Sequence, residues 1–255
     1  MRVALVDADI LAYQAAASAE KPVDWGDGLW TLHCFEQDAV AAFEASLERI
    51  KEKTQASKLV LAFSDKANWR KTVLPTYKSN RVGVRKPMLL SFLKTHAEAK
   101  YDCRQIPTLE GDDILGLTMT GSPDQPYIVC SLDKDLKTIP GEHYNFGRDQ
   151  LFSVSEDQAD YWHYFQTLTG DTTDGYPGCP GCGPKTAEKI LEPFYFQTGY
   201  GSTFDREGAW KAVVKAFKKA GFSEEEALVQ ARVARIMRSG DYDFENNQVN
   251  LWTPN

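Results

Sequence analysis

Acidic residues recur in this sequence where an apolar run or a loop gives way to a helical pattern. Asp7 and Asp65 each follow a short apolar run, and further acids stand together in LEGDD, DKD and GDTTD. Helix capping accounts for single acids at such places, because a carboxylate at a helix N-terminus is stabilised by the helix dipole. Capping does not account for repeated clusters. The candidate ligands are Asp7, Asp65, Glu110, Asp112, Asp113, Asp133, Asp135, Asp171 and Asp174.

Carboxylates that converge repel one another unless a hard cation lies among them. Mg²⁺ is the expected ion, because it takes oxygen ligands and is usually held by a few carboxylates together with substrate phosphate. Two such ions about 4 Å apart clamp a phosphodiester, one activating water and the other stabilising the leaving oxygen. The acids therefore predict phosphodiester hydrolysis without a protein nucleophile.

A basic stretch with interleaved aromatic residues lies between Asp65 and Pro87. Arg and Lys bind phosphates, and aromatic rings can stack an unpaired base. The stretch predicts an element that grips a nucleic-acid strand, although a solvated surface loop is compatible with the same composition. The residues are Lys66, Trp69, Arg70, Lys71, Tyr77, Lys78, Arg81, Arg85 and Lys86.

A glycine-rich turn follows Asp174 directly and opens a helical segment. Glycine lets the backbone approach a phosphate closely, and the amides at a helix N-terminus attract an anion. The turn therefore predicts a second DNA contact, made by Gly178, Gly181, Gly183, Lys185 and Thr186. Cys179 and Cys182 have a zinc-like spacing, but the sequence offers no paired histidines to complete a tetrahedral site.

The composition is that of an ordinary globular protein of 255 residues, with a net charge of −7. Nine ligand carboxylates set aside leave 27 acidic against 29 basic residues, so the charge is no obstacle to binding DNA. The apolar N-terminal run is too short for a signal peptide or a membrane span. We expect no contact with a membrane and a cytoplasmic location, in the host cell if a phage encodes the chain.

Strands and helices alternate in the first part of the chain. Apolar runs at Arg2–Val6, Leu59–Phe63 and Tyr127–Cys130 predict parallel strands, with helices at Ile10–Ala19 and Glu36–Thr54. Ligands of such sheets gather at the carboxyl ends of the strands, where Asp7, Asp65 and Asp133 fall. After residue 155 the strand pattern ends, apart from a tail at 248–252. The helices predicted there are 155–169, 184–192, 205–221 and 223–238.

In combination these segments resemble the flap endonuclease and bacteriophage 5′-to-3′ exonuclease family, particularly the exonucleases of short-tailed phages. The resemblance covers nearly the whole chain. It is carried by LAFSDKANWRK, YKSNR, LEGDD, SLDKDLKTIPG, WHYFQTLTGDTTDGYPG and RIMRSGDYDF. It implies an α/β fold in which a PIN-like, mostly parallel sheet is flanked by helices, followed by a helix-hairpin-helix part. The expected domains are a nuclease domain at 1–154, with a basic clamp at 66–87, and a helical domain at 155–255, with the hairpin motif at 171–192.

The resemblance also implies how the residues divide their work. Asp7, Asp65, Glu110, Asp112, Asp113 and Asp133 would form one Mg²⁺ site, and Asp135, Asp171 and Asp174, with Asp133 nearby, would form the other. Mn²⁺ would substitute, and a K⁺ ion would sit at the hairpin turn. Lys78 and Arg81 would lie near the scissile phosphate. The expected activity is 5′-to-3′ hydrolysis of double-stranded DNA at ends, nicks or short flaps, giving 5′-phosphorylated products, and also of RNA/DNA hybrids.

Two other functions are compatible with parts of the sequence. A haloacid-dehalogenase-type phosphatase would use Asp7 as nucleophile and Asp9 as acid and base, but it leaves LEGDD, the basic stretch and the glycine turn unexplained. A DNA-binding module without catalysis would treat the acids as structural. In the nuclease hypothesis Asp9 has the simpler role of capping the first helix.

The nuclease hypothesis predicts that Asp133 is among the residues least tolerant of change, because it would lie between the two metal ions. We expect Asp133→Asn to lose nearly all turnover on duplex DNA in Mg²⁺, measured as release of labelled products. Near-normal turnover of this variant would contradict the two-metal assignment.

Overall fold

The computed structural model describes residues 1–198 and 201–254; residues 199, 200 and 255, within the expected helical domain, lie outside it. The strands are β1 (Val3–Asp7), β2 (Lys21–Asp24), β3 (Trp30–His33), β4 (Lys58–Ala62), β5 (Asp102–Arg104), β6 (Tyr127–Cys130), β7 (Gly141–Asn145), β8 (Gln150–Val154), β9 (Tyr195–Thr198), β10 (Gly201–Phe204), β11 (Tyr242–Asp243) and β12 (Gln248–Val249). The α-helices are α1 (Ala8–Ala19), α2 (Glu36–Thr54), α3 (Arg70–Val73), α4 (Leu90–Lys100), α5 (Gly111–Gly121), α6 (Glu156–Thr169), α7 (Pro184–Leu191), α8 (Arg206–Lys219) and α9 (Glu224–Ala234). Short 3-10 helices cover Ser79–Arg81, Lys134–Thr138 and Glu192–Phe194.

The main sheet has six strands in the order β5-β4-β1-β6-β7-β8. All neighbours are parallel except β8, which is antiparallel to β7. β1 lies inside the sheet, and its central residues Ala4, Leu5 and Val6 are fully buried, which explains the continuous apolar run. The expected mostly parallel sheet with flanking helices is confirmed.

Two apolar layers cover the faces of this sheet. On one face α1, α2 and α4 pack through side chains such as Leu11, Phe43 and Leu93. On the other face α5 packs together with Met237, in the segment that follows α9. Residues beyond 155 form a third cluster, in which α6, α7, α8 and α9 pack around aromatic side chains such as Phe217. The described helices include none that is long and apolar enough to cross a membrane.

The predicted elements were mostly right in kind and shifted by a few residues at their ends. α2 and β6 match their predicted bounds, because amphipathic spacing and a short buried run define them directly. The prediction that strands end near residue 155 was wrong for β9, β10 and β11, which form short antiparallel hairpins, whereas β12 lies in the predicted tail at 248–252. The prediction also omitted the exposed hairpin formed by β2 and β3.

α5 and the segment after α9 cross without room for a side chain at Gly116. A Cβ atom there would lie 2.2 Å from the carbonyl oxygen of Met237, whereas one at Gly121 would meet nothing within 4 Å. This crossing brings the C-terminal segment against the helix that carries LEGDD.

We therefore expect Gly116→Ala to destabilise the protein by about 1–3 kcal/mol, the usual cost of overpacking. The matched variant Gly121→Ala, at the end of the same helix, should be neutral or stabilising by up to about 1 kcal/mol. Equilibrium denaturation in urea measures both. Equal stability of the two variants would contradict the close crossing.

Candidate active site

The carboxyl ends of β1 and β6 bring Asp7 and Asp133 to the same edge of the sheet. Asp7 is 3% exposed and caps α1 by accepting a hydrogen bond from the Ile10 amide. Its other oxygen accepts from the Ser131 hydroxyl at 2.8 Å, and the same hydroxyl oxygen accepts from the Asp133 amide at 3.0 Å. Ser131 therefore joins the two strand ends.

The N-terminus of α5 adds acids at this edge. Glu110 is the N-cap residue, and it and Asp113 form a reciprocal capping box. Burial is the main cause that raises the pKa of Asp112, and the charges of Asp7, Asp133 and Glu110 raise it further. Asp112 therefore belongs to the same electrostatic group as the two strand-end acids.

A second group of acids comes from Asp135 and from the loop after α6. The loop is closed by paired backbone hydrogen bonds between Asp171 and Tyr176, and the Asp171 carboxylate accepts from the Thr173 amide at 2.7 Å. Burial raises the pKa of Asp135 to about 7, and the charges of Asp133, Asp171 and Asp174 add to the effect. Oδ1 of Asp135 is buried and has no hydrogen-bond partner among the described residues.

Asp133 connects the two groups. Burial raises its pKa, and so do the charges of Asp174 and Asp171, while Asp133 itself raises the pKa of Asp7, of Asp112 and of Asp135. The repulsion extends from one group to the other through this one side chain. Such an arrangement suits divalent cations, which remove the repulsion.

Protein cations pair with the outer members of both groups. The ammonium of Lys78 contacts Glu110 and lies 3.5 Å from Asp174, whose other oxygen accepts from Arg81 at 2.7 Å. Lys134 lies 3.2 Å from Asp171. With the side chains placed in this way, the described residues contain no group of three His, Cys, Asp or Glu close enough to hold a metal ion.

A protein-family model for the "5'-3' exonuclease, N-terminal resolvase-like domain" matches residues 2–160, more than half of the chain. The chain belongs to this 5'-3' exonuclease family. An exodeoxyribonuclease of Enterobacteria phage T3 is 33% identical over 99% of this chain and 93% of its own length. The fold resembles that of a phage T5 5'-exonuclease with bound zinc (TM-score 0.69, 15% identity, 92% and 89% of the two chains) and of a T5 D15 flap endonuclease complex with DNA and metal ions (0.68, 13%, 92% and 89%).

Family membership confirms the resemblance to the phage exonucleases and the expected 5′-to-3′ nuclease activity. It also removes the phosphatase and the non-catalytic module from consideration. Asp9, which the phosphatase would need as acid and base, instead accepts hydrogen bonds from the Ser64 amide and from Lys94. The prediction that Asp9 caps the first helix was wrong, because Asp7 fills that position.

Two of the predicted metal ligands have other partners in this nuclease. Asp113 is fully buried, and its oxygens accept from Arg70 at 2.8 Å each and from the Trp69 indole at 3.0 Å. Asp65 accepts from the Thr108 amide at 2.8 Å, and backbone hydrogen bonds lower its pKa. The contacts of Asp113 correct its assignment, since it supports the fold, whereas metal ligation by Asp65 stays a prediction.

Three residues of the predicted DNA clamp are buried. Trp69, Arg70 and Tyr77 are 6%, 2% and 2% exposed, so their rings and guanidinium are not open to a base or a phosphate. The Tyr77 hydroxyl donates to Glu110 or Asp174, at 3.0 and 2.8 Å. The sequence prediction failed here because the same residue types, cations and aromatic rings, serve both in a DNA clamp and in the buried surroundings of an acidic site.

The other basic residues of the stretch remain on the surface. Lys66, Lys71 and Lys86 are exposed, and so is Arg85, which forms an ion pair with Glu20 at 2.6 Å. These side chains remain candidates for DNA contact, with the ion pair of Arg85 as a competitor.

The glycine turn divides into a buried and an open part. Gly178 has φ +65°, and a Cβ there would lie 2.3 Å from the Gly170 amide nitrogen. Its backbone therefore packs closely against another part of this chain, and the prediction that it contacts DNA was wrong. Gly181 and Gly183 have open space around them, and Lys185 and Thr186 are exposed at the start of α7. Cys179 and Cys182 are buried in the apolar cluster of the helical part.

Sequence reasoning missed two residues of the site. Ser131 joins Asp7 to Asp133, and Lys134 pairs with the second acidic group. Both stand in SLDKD, so their position beside the paired acids was the available signal. Serine and lysine are too common at turns for that position to indicate a role.

The raised pKa values predict that the metal-free protein loses stability as the pH rises through about 7. Burial and neighbouring carboxylates raise the pKa of Asp7 and of Asp135 to about 7, whereas the unfolded chain loses these protons near pH 4. Between pH 6.5 and 8 the folded state therefore binds more protons than the unfolded chain does, and the free energy of unfolding falls with rising pH.

Thermal unfolding in chelator between pH 6.5 and 8 measures this decline. The range avoids the opposite effect of His163, whose pKa burial lowers to about 3. Asp135→Asn should decline less steeply than the original protein. Identical slopes would contradict the assignment to this group.

Proposed function

We propose that this nuclease hydrolyses double-stranded DNA from 5′ ends with divalent metal ions and releases 5′-phosphorylated products. The observation that carries the proposal is the convergence of buried carboxylates that raise one another's pKa around Asp133. The T3 relative is named an exodeoxyribonuclease, and the T5 structures hold metal ions and, in one case, DNA. The preferred ends would include nicks and short flaps, and the RNA strand of RNA/DNA hybrids would also be cut.

We propose that the divalent ions are two Mg²⁺, for which Mn²⁺ would substitute. The available ligand atoms are carboxylate oxygens, and Oδ1 of Asp135, which has no hydrogen-bond partner among the described residues and lies 3.9 Å from the Lys134 ammonium, is an acceptor that a cation would satisfy. Two bound ions would supply an activated water and neutralise charge on the scissile phosphate. One ion would be held by Asp7, Glu110, Asp112 and Asp133, and the other by Asp133, Asp135, Asp171 and Asp174.

Lys78 and Arg81 are suited to bind the scissile phosphate. Lys78 has φ +53° at a turn, which directs its ammonium toward Glu110 and Asp174. Burial would lower the pKa of Lys78, but these carboxylates raise it, so the group stays charged. With divalent ions held by the carboxylates, Lys78 and Arg81 would be available to donate to phosphate oxygens and to stabilise charge in the transition state.

The remaining predicted contacts extend this site along the DNA. Lys66, Lys71 and Lys86 would bind one strand, while the open turn at Gly181 and Gly183 would face the duplex backbone. Lys185 and Thr186 would join that contact at the N-terminus of α7. A K⁺ ion at this turn stays a prediction. We also propose the division into a nuclease domain at 1–154 and a helical domain at 155–255.

Digestion of duplexes labelled separately at each 5′ and 3′ end tests the proposal. With Mg²⁺ we expect early release of short, 5′-phosphorylated products from the 5′-labelled end and none in chelator. A matched set with a nick, a short 5′ flap or an RNA strand measures the substrate range. Early release of the 3′ label, or equal rates in chelator, would contradict the proposal.

A further inference from the structure

We infer that Arg70 is a positioning residue, which orients Glu110 by tying it to the chain segment that follows α9. The inference rests on the proposed role of Glu110 as a metal ligand. It replaces the DNA contact expected of Arg70 with a function inside the protein.

The guanidinium of Arg70 uses all five of its N–H donors. Nη1 donates to Glu110 at 2.9 Å and to Asp113 at 2.8 Å, and Nη2 donates to Asp113 at 2.8 Å. Nη2 also donates to the Arg235 carbonyl at 2.6 Å, and Nε donates to the Val233 carbonyl at 2.9 Å. The rigid fork of arginine makes this set possible, whereas lysine has three donors on a single nitrogen.

Three segments of the chain meet at this guanidinium. Asp113, from α5, also accepts from the Met237 amide at 3.2 Å, so the carboxylate and the guanidinium both bind the segment after α9. That segment lies beyond residues 2–160, which the family model covers. Arg70 therefore links the C-terminal part of the chain to the acidic N-terminus of α5.

The contacts of Glu110 are divided between its two oxygens. Oε2 accepts from Arg70 at 2.9 Å and lies 3.0 Å from the Tyr77 hydroxyl, whose single proton goes to Glu110 or to Asp174, while Oε1 faces Lys78. Arg70 thus holds Oε2, while Oε1 is left to face the Lys78 ammonium. Without Arg70 the carboxylate would keep its contacts with Lys78 and with the capping box of α5 but lose the charged donor at Oε2, and the exposed residues proposed to bind DNA would be unchanged.

Arg70→Lys and Arg238→Lys form a matched pair for the test. Arg238 also joins the segment after α9 to the rest of the chain, through the Thr138 carbonyl at 2.6 Å and Asp160 at 2.7 Å, and its guanidinium hydrogen bonds do not involve Glu110. We expect Arg70→Lys to lower kcat and Mn²⁺ affinity by about 10- to 100-fold, the range for residues that orient metal ligands. KM for DNA should stay within about threefold.

Arg238→Lys should lower the thermal unfolding midpoint and keep kcat per folded molecule and Mn²⁺ affinity. Equal loss of kcat in the two variants would overturn the inference, because it would show a general effect of loosening the C-terminal segment. Unchanged kcat and Mn²⁺ affinity in Arg70→Lys would also overturn it.

A double-mutant cycle with Glu110→Gln separates positioning from other effects. If Arg70 acts through Glu110, Arg70→Lys should cause little further loss of kcat in the Glu110→Gln protein. Additive losses would contradict the inference while leaving the proposed function intact. Full activity of Glu110→Gln alone would overturn the inference together with the proposed role of Glu110 as a metal ligand. If Arg70→Lys does not fold, Asp113→Asn loosens the same guanidinium, and its loss of kcat should likewise vanish in the Glu110→Gln background.

Discussion

Repulsion between buried carboxylates is the constraint on which this active site depends. Asp7, Asp112, Asp133 and Asp135 lie where burial and like charges both oppose ionisation, and each has a raised pKa. Such a cluster costs free energy in the metal-free fold, and a folded protein has only about 5–15 kcal/mol to spare. The surrounding structure must therefore hold the acids together against their own repulsion.

Two kinds of contact supply that support. Hydrogen bonds from Ser131 and from backbone amides hold the inner acids, while Lys78, Arg81 and Lys134 pair with acids at the rim. The cations at the rim balance part of the charge without filling the centre. In the proposed reaction Lys78 and Arg81 would be available to bind phosphate once divalent ions were held by the carboxylates.

The adjacent acids Asp112 and Asp113 of LEGDD have different functions for a geometric reason. Successive residues of a helix point in directions about 100° apart, so Asp112 and Asp113 leave α5 on different sides. Asp112 joins the acidic cluster, and Asp113 meets Arg70 in the buried interior. The buried ion pair between Arg70 and Asp113 then supports Glu110. The close crossing at Gly116 keeps the C-terminal segment in contact with Arg70.

Local patterns in the sequence were enough to predict β1, β4 and β6 of the sheet, most helices and the acids at the strand ends, but not β5, β7 and β8. Those features depend on the periodicity of apolar residues, on short apolar runs and on helix capping, all of which residues close together in the sequence determine. The functions of Trp69, Arg70, Tyr77 and Asp113 were decided by tertiary structure. A cation or a ring has the same local pattern whether it faces solvent or a buried carboxylate, and the partners of these residues lie 33 to 165 positions away in the chain. Gly178 shows the same limit, because its crowding against Gly170 exists only after the loop closes.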